Sequence, residues 1–159
     1  MLLTVILFVL LPVGLIQGTP IVKESCEATV LPSENPCWSS VILSRSCESG
    51  TFDLGATSFK SCDKVGFMWS YPLHNLTVTI ETPFTQKHQP YAINIDNTLI
   101  KDYSIRIYRI IDGHETEVKS RDDVIVQNSD SNYQIILKFQ GPSTIYYYGF
   151  PFNYNVTKL

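Results

Sequence analysis

Apolar and polar residues alternate most regularly between Tyr103 and Lys119, on either side of the pair Asp112-Gly113. An Asp-Gly pair between alternating segments predicts a two-residue type I′ hairpin. Both central residues then need positive φ, which Gly adopts freely and Asp tolerates. The register that follows sets Ile111 opposite His114, Arg109 opposite Thr116, Ile107 opposite Val118 and Ile105 opposite Ser120. Ile105, Ile107 and Val118 share one face. Arg106, Tyr108, Glu117 and Lys119 share the other, with Arg106 diagonal to Glu117. A ribbon with one apolar face needs a second layer to cover it.

The same period of two recurs elsewhere. Between Leu73 and Glu81, Leu76, Val78 and Ile80 alternate with Asn75, Thr77, Thr79 and Glu81, a half-buried strand. From Tyr146 to Tyr154 the even positions Tyr146, Tyr148, Phe150, Phe152 and Tyr154 are aromatic. Asn75-Leu76-Thr77 and Asn155-Val156-Thr157 are glycosylation sequons, and each acceptor asparagine falls on the parity opposite its apolar row. Further strands are predicted at Glu27–Val30, near Phe52, at Val65–Tyr71 (buried), Tyr91–Ile95, Val124–Val126 and Tyr133–Phe139. Cys37–Cys47 fits a strand or a helical turn, and Thr82–Pro90 reads as a loop. Pro151, which has no N–H to give, predicts that the last strand is an edge or is broken there. Eight to nine short strands make this an all-β chain: an antiparallel two-sheet β-sandwich, or a squat barrel, with a disulfide-stapled N-terminal segment.

The first residues set the compartment. Met1 to Ile16 is apolar apart from Thr4, Pro12 and Gly14, too short to span a bilayer comfortably, and Gly18 offers a small residue at a cleavage point. Residues 1–18 read as a signal peptide, although no Lys or Arg precedes the apolar run, and 19–159 as one secreted, extracellular domain. The end of the chain resembles neither a membrane span nor a lipid-anchor tail. Cys26, Cys37, Cys47 and Cys62 are an even set in an oxidising compartment, so two disulfides are expected, with three connectivities open. They staple 19–63 and leave 64–159 to packing alone. No CxxC pair exists, which speaks against zinc. An immunoglobulin framework needs a late cysteine, and none follows Cys62.

Chemistry is sparse. A formal charge of −3 without a basic run speaks against nucleic acid. His114-Glu115 starts like a zinc-binding HExxH, but Val118 stands where the second histidine belongs. His74 and His88 fall at loop edges. Asn128–Asn132 resembles half a calcium loop, but Tyr133 and Phe139 occupy the positions of the turn glycine and the bidentate glutamate. Glu115 and Glu117 share a strand face, where solvent exposure suits them better than acid–base work. With no GxSxG elbow and no spare thiol, the chain is expected to be non-enzymatic and to use no metal or cofactor. The expected role is a binding module for an extracellular or cell-surface protein, or for a glycan. Its surface would use loops and exposed aromatics: Tyr147, Trp38, Trp69 and the corner Tyr71-Pro72. The alternative is a carrier holding a lipid between the sheets.

Overall fold

The computed structural model describes residues 25–44, 47–70, 75–141 and 149–159. The predicted signal peptide, His74, Tyr71 and Tyr146–Tyr148 lie outside these residues. Among the described residues the strands are β1 (Ser25–Glu27), β2 (Thr29–Leu31), β3 (Trp38–Ile42), β4 (Ser49–Asp53), β5 (Lys64–Ser70) and β6 (Asn75–Ile80), followed by β7 (Tyr91–Asp96), β8 (Arg106–Ile111), β9 (His114–Glu117), β10 (Val124–Asn128), β11 (Ile135–Gln140) and β12 (Gly149–Lys158). They form two six-stranded sheets: sheet 1 in the order β1-β4-β6-β11-β8-β9, and sheet 2 in the order β10-β7-β12-β5-β3-β2. The sheets pack face to face and do not close, so the architecture is a sandwich and not a barrel.

The strand pairing is mixed where a purely antiparallel arrangement was expected. β8, β9, β11 and β12 pair antiparallel, but β1–β4, β4–β6 and β3–β5 are parallel. The cause is the route of the chain. β3, β4, β5 and β6 belong alternately to sheet 2 and sheet 1. Each connection crosses the sandwich, so strands two apart in sequence arrive side by side and point the same way. Two 3-10 turns, Leu54–Ala56 and Ser58–Ser61, carry the crossing from β4 to β5.

The hairpin forms in the predicted register, with Ile111 opposite His114 and Arg109 opposite Thr116. Asp112 and Gly113 take φ of 50° and 78°. β6 and β12 bury the predicted parities: Leu76, Val78, Ile80, Phe150, Phe152 and Tyr154 are all core residues. Their rings meet across the two sheets. Phe139 of sheet 1 lies 4.6 Å from Phe152 of sheet 2, and Phe52 of sheet 1 lies 5.6 Å from Phe67 of sheet 2. Burying each such side chain contributes about 1.5–3 kcal/mol, so this aromatic layer is the main cohesive element.

Local chemistry adds elements that alternation does not show. Pro83–Gln86 is a single helical turn inside the predicted Thr82–Pro90 loop. Thr82 caps it by accepting the N–H groups of Phe84 (3.2 Å) and Thr85 (3.3 Å). We call it α1; α2 (Thr98–Asp102) carries the chain from β7 to β8. Tyr133 is not part of β11, because it turns at φ 57° before the strand begins. Pro151 sits where, among the described residues, β12 has β5 as its only neighbour, since pairing with β7 starts at Tyr154. That half of β12 is locally an edge. Cys26 is bridged to Cys47 and Cys37 to Cys62, interlaced, and both bonds pin the segment that carries β1–β4.

Candidate interaction edge

Of the aromatic patch read from the sequence, Trp69 and Trp38 lie among the described residues, on opposite faces of sheet 2. Trp69 is 1% exposed. It lies on the inward parity of the central strand β5, its ring 6.5 Å from Phe139, so it belongs to the core and not to a binding surface. Trp38 lies on the opposite face of sheet 2, half-buried, with its ring over Gly66, where a Cβ would come within 2.2 Å of it. With Val30 and Leu31 it also lines a shallow hollow of about 300 Å³. Tyr71 and Tyr147 lie outside the described residues.

The remaining candidates have mundane partners. Asn75 and Asn155 lie on the outer parity, the first partly buried and the second exposed, one on each sheet. His114 is exposed on β9, and His88 packs edge-on to Tyr133 at 5.6 Å. Glu115 pairs with Lys138 at 2.8 Å and Glu117 with Lys119 at 3.1 Å. No metal-binding group of three His, Cys, Asp or Glu side chains occurs among the described residues. The loop that resembled a calcium site has another use. Asp130 accepts the N–H groups of Asn132 and Gln134, both at 2.9 Å, and faces Arg109 at 3.7 Å.

Arg109 is the residue that sequence reading overlooked. It shares its parity with Ile105 and Ile107, and that parity is the inner face. Arg109 is 6% exposed, and its guanidinium donates to the carbonyls of Gln134 (2.8 Å), Asn128 (3.4 Å) and Ile136 (3.4 Å). Burial lowers its pKa, an effect opposed by Asp130 and Tyr91. Across the core, Tyr91 donates to the carbonyl of Ile80 at 3.0 Å, and burial raises its pKa. Among the described residues, the Tyr154 hydroxyl and the Trp69 indole N–H are buried without a partner. Arg109 and Tyr91 tie neighbouring segments to the core.

The open chemistry lies at the sheet margins. β9 is an edge strand, but its sequence HETE carries charge along its length, which discourages pairing with another chain. β1 and β2 are three residues each, one held by a disulfide and the other followed by Pro32. β10, VIVQN, is five residues long, carries no charge and, among the described residues, has only β7 beside it. Val124 and Val126 stand 48% and 55% exposed. The phase of its hydrogen bonds shows which groups are free. Asn97 N–H donates to Asp123 O (2.9 Å) and Ser129 N–H to Tyr91 O (2.8 Å), so odd-numbered residues of β10 turn their backbone groups toward β7. The even residues turn theirs outward. Accordingly, among the described residues the Val126 carbonyl accepts the side-chain amide of Gln127, at 2.8 Å, and the Asn128 carbonyl accepts Arg109.

Beside this edge a cleft of about 590 Å³ opens between β10, the β8–β9 ribbon and α2. Its apolar lining is Ile100, Ile105, Ile107 and Ile125, and its charged rim is Lys101, Arg106, Lys119 and Arg121 with Glu117. The rim is held from below. Buried Asn97 donates to the carbonyls of Asp122 (2.7 Å) and Ser120 (3.5 Å), and Lys101 pairs with Asp123 at 2.7 Å. No helix among the described residues is long and apolar enough to cross a membrane. No protein-family model matches this chain, and comparison with curated proteins finds no significant relative.

Proposed function

We propose that the chain is a secreted, N-glycosylated, non-enzymatic binding module that engages an extracellular or cell-surface protein through the β10 edge. The observation that carries this is the uncharged, outward-facing backbone of Val124 and Val126 next to an isoleucine-lined cleft. Natural sheets cover or charge such an edge, as β9 does, unless something is meant to pair with it. Two features support the reading. Sugars on Asn75 and Asn155 would shield the broad face of each sheet and leave the margins for protein contact. The ring contacts between the sheets favour a packed interior over one that carries a lipid. Two disulfides suit an oxidising compartment.

The test is a binding screen against a panel of purified extracellular and cell-surface ectodomains. It is run in parallel with the wild-type chain and with Val124→Lys/Val126→Lys, which charges the edge at solvent-exposed positions. A partner bound by the wild type and lost by the double variant, at unchanged thermal stability, is the expected result. A partner bound equally by both moves the site elsewhere. No partner at all counts against the module.

A further inference from the structure

We infer that the partner supplies an extended acidic segment, laid along β10 as a seventh strand of sheet 2 with its alternate side chains in the cleft. The inference rests on the edge reading above and adds the chemistry of what docks there.

A strand added to β10 lies about 4.8 Å from it, on the side where the cleft opens. Side chains of a strand alternate, so every second one would continue the inner layer that Ile125 begins, over Ile100, Ile105 and Ile107. Those positions call for apolar residues. The intervening side chains would lie outside beside Val124 and Val126, and those near the Arg121 end of β10 meet the rim. Four of the twelve Lys and Arg residues of the chain gather there, against one carboxylate in the lining. Lys101 and Lys119 have acidic neighbours, Asp123 and Glu117. Arg106 and Arg121 are exposed, and among the described residues neither has an ion-pair partner. On a chain of formal charge −3, this rim is where an acidic segment gains from the local field. A second copy of the chain fits less well. It brings the same negative charge, and two-fold pairing about Val126 would set Asp122 opposite Asp130.

The probe is a random short-peptide display library, selected on the full chain secreted from a eukaryotic host. Enriched peptides should carry Asp or Glu with apolar residues in alternation. The leading peptide, once synthesised, should bind about tenfold more weakly to Arg106→Glu/Arg121→Glu and lose affinity as salt rises. Val126→Pro removes an N–H that β7 does not use, and should cost about tenfold while leaving thermal unfolding in place. A second measurement needs no variant: N-methylating alternate peptide amides should abolish binding in one phase and spare it in the other. Indifference to the methylation phase overturns strand addition. Enrichment of neutral or basic peptides that still compete at β10 overturns the acidic chemistry and leaves the edge reading standing. A library that yields no binder overturns the inference, as does a dimer of the wild type that Val126→Pro dissolves.

Discussion

Two buried side chains make opposite predictions. Tyr154 has a hydroxyl enclosed without a partner among the described residues, so Tyr154→Phe should leave stability unchanged or raise it by about 1 kcal/mol. Burial raises the pKa of Tyr154 and of Tyr91, so the folded state keeps their protons longer than the unfolded chain does. Their contribution is therefore fully present below about pH 10, the unfolded tyrosine value, and is lost as pH rises beyond it. Urea midpoints at pH 8 and above pH 10 check this: the alkaline fall should be smaller in Tyr154→Phe than in the wild type. Arg109 behaves in the contrary sense. Arg109→Met leaves Asp130 facing the core without its cation and strips donors from the Asn128, Gln134 and Ile136 carbonyls. A loss of about 3–5 kcal/mol is expected in equilibrium unfolding. Arg109 could have been found from the sequence. The hairpin register already placed it on the inward parity, and only its charge argued for turning it outward.

At the scale of elements, what the sequence showed depended on how local the cause was. Asp112-Gly113, the rows of β6 and β12 and the β5 run each follow from side chains that lie next to one another in the chain. Their positions were legible. The parallel pairs β3–β5 and β4–β6 were not, because they arise from the chain crossing between sheets, which leaves no mark on any single strand. α1 was missed because its capping pair, Thr82 and Thr85, sits in a stretch marked as loop by Pro83 and Pro90. The candidate edge lay in plain view at Val124–Val126, yet its open flank depends on which strand sits beside it. Gly113 offers a clean test of the hairpin. A Cβ there would touch nothing within 4 Å, so the cost of Gly113→Ala is the backbone strain of φ 78° alone. About 1 kcal/mol should be lost, seen as a drop in Tm of a few degrees, while Gly113→Asn should cost less.

The whole molecule is fastened unevenly. Both disulfides lie toward the margin formed by β1 and β2, and β9 and β10 form the opposite margin with no covalent tie. The bridges close loops of 21 and 25 residues in sequence separation, each worth about 3 kcal/mol in the chain-entropy account. Replacing Cys37 and Cys62 by Ser should lower the Tm markedly. It should speed amide hydrogen exchange in β2 and β3 while leaving exchange in β8 and β9 nearly unchanged. A uniform rise across both sheets would show instead that the bridges hold the entire sandwich.

Val124 and Val126 carry a liability as well as a use. A bare flank that turns away folded copies of its own chain through Asp122 and Asp130 stays open to any stray extended segment without that charge pattern. Material that partly unfolds in a concentrated stock should slowly grow stacked ribbons seeded at this flank, while the folded chain stays monomeric. Adding a short blocking peptide, or one lysine at Val126, should keep the stock clear.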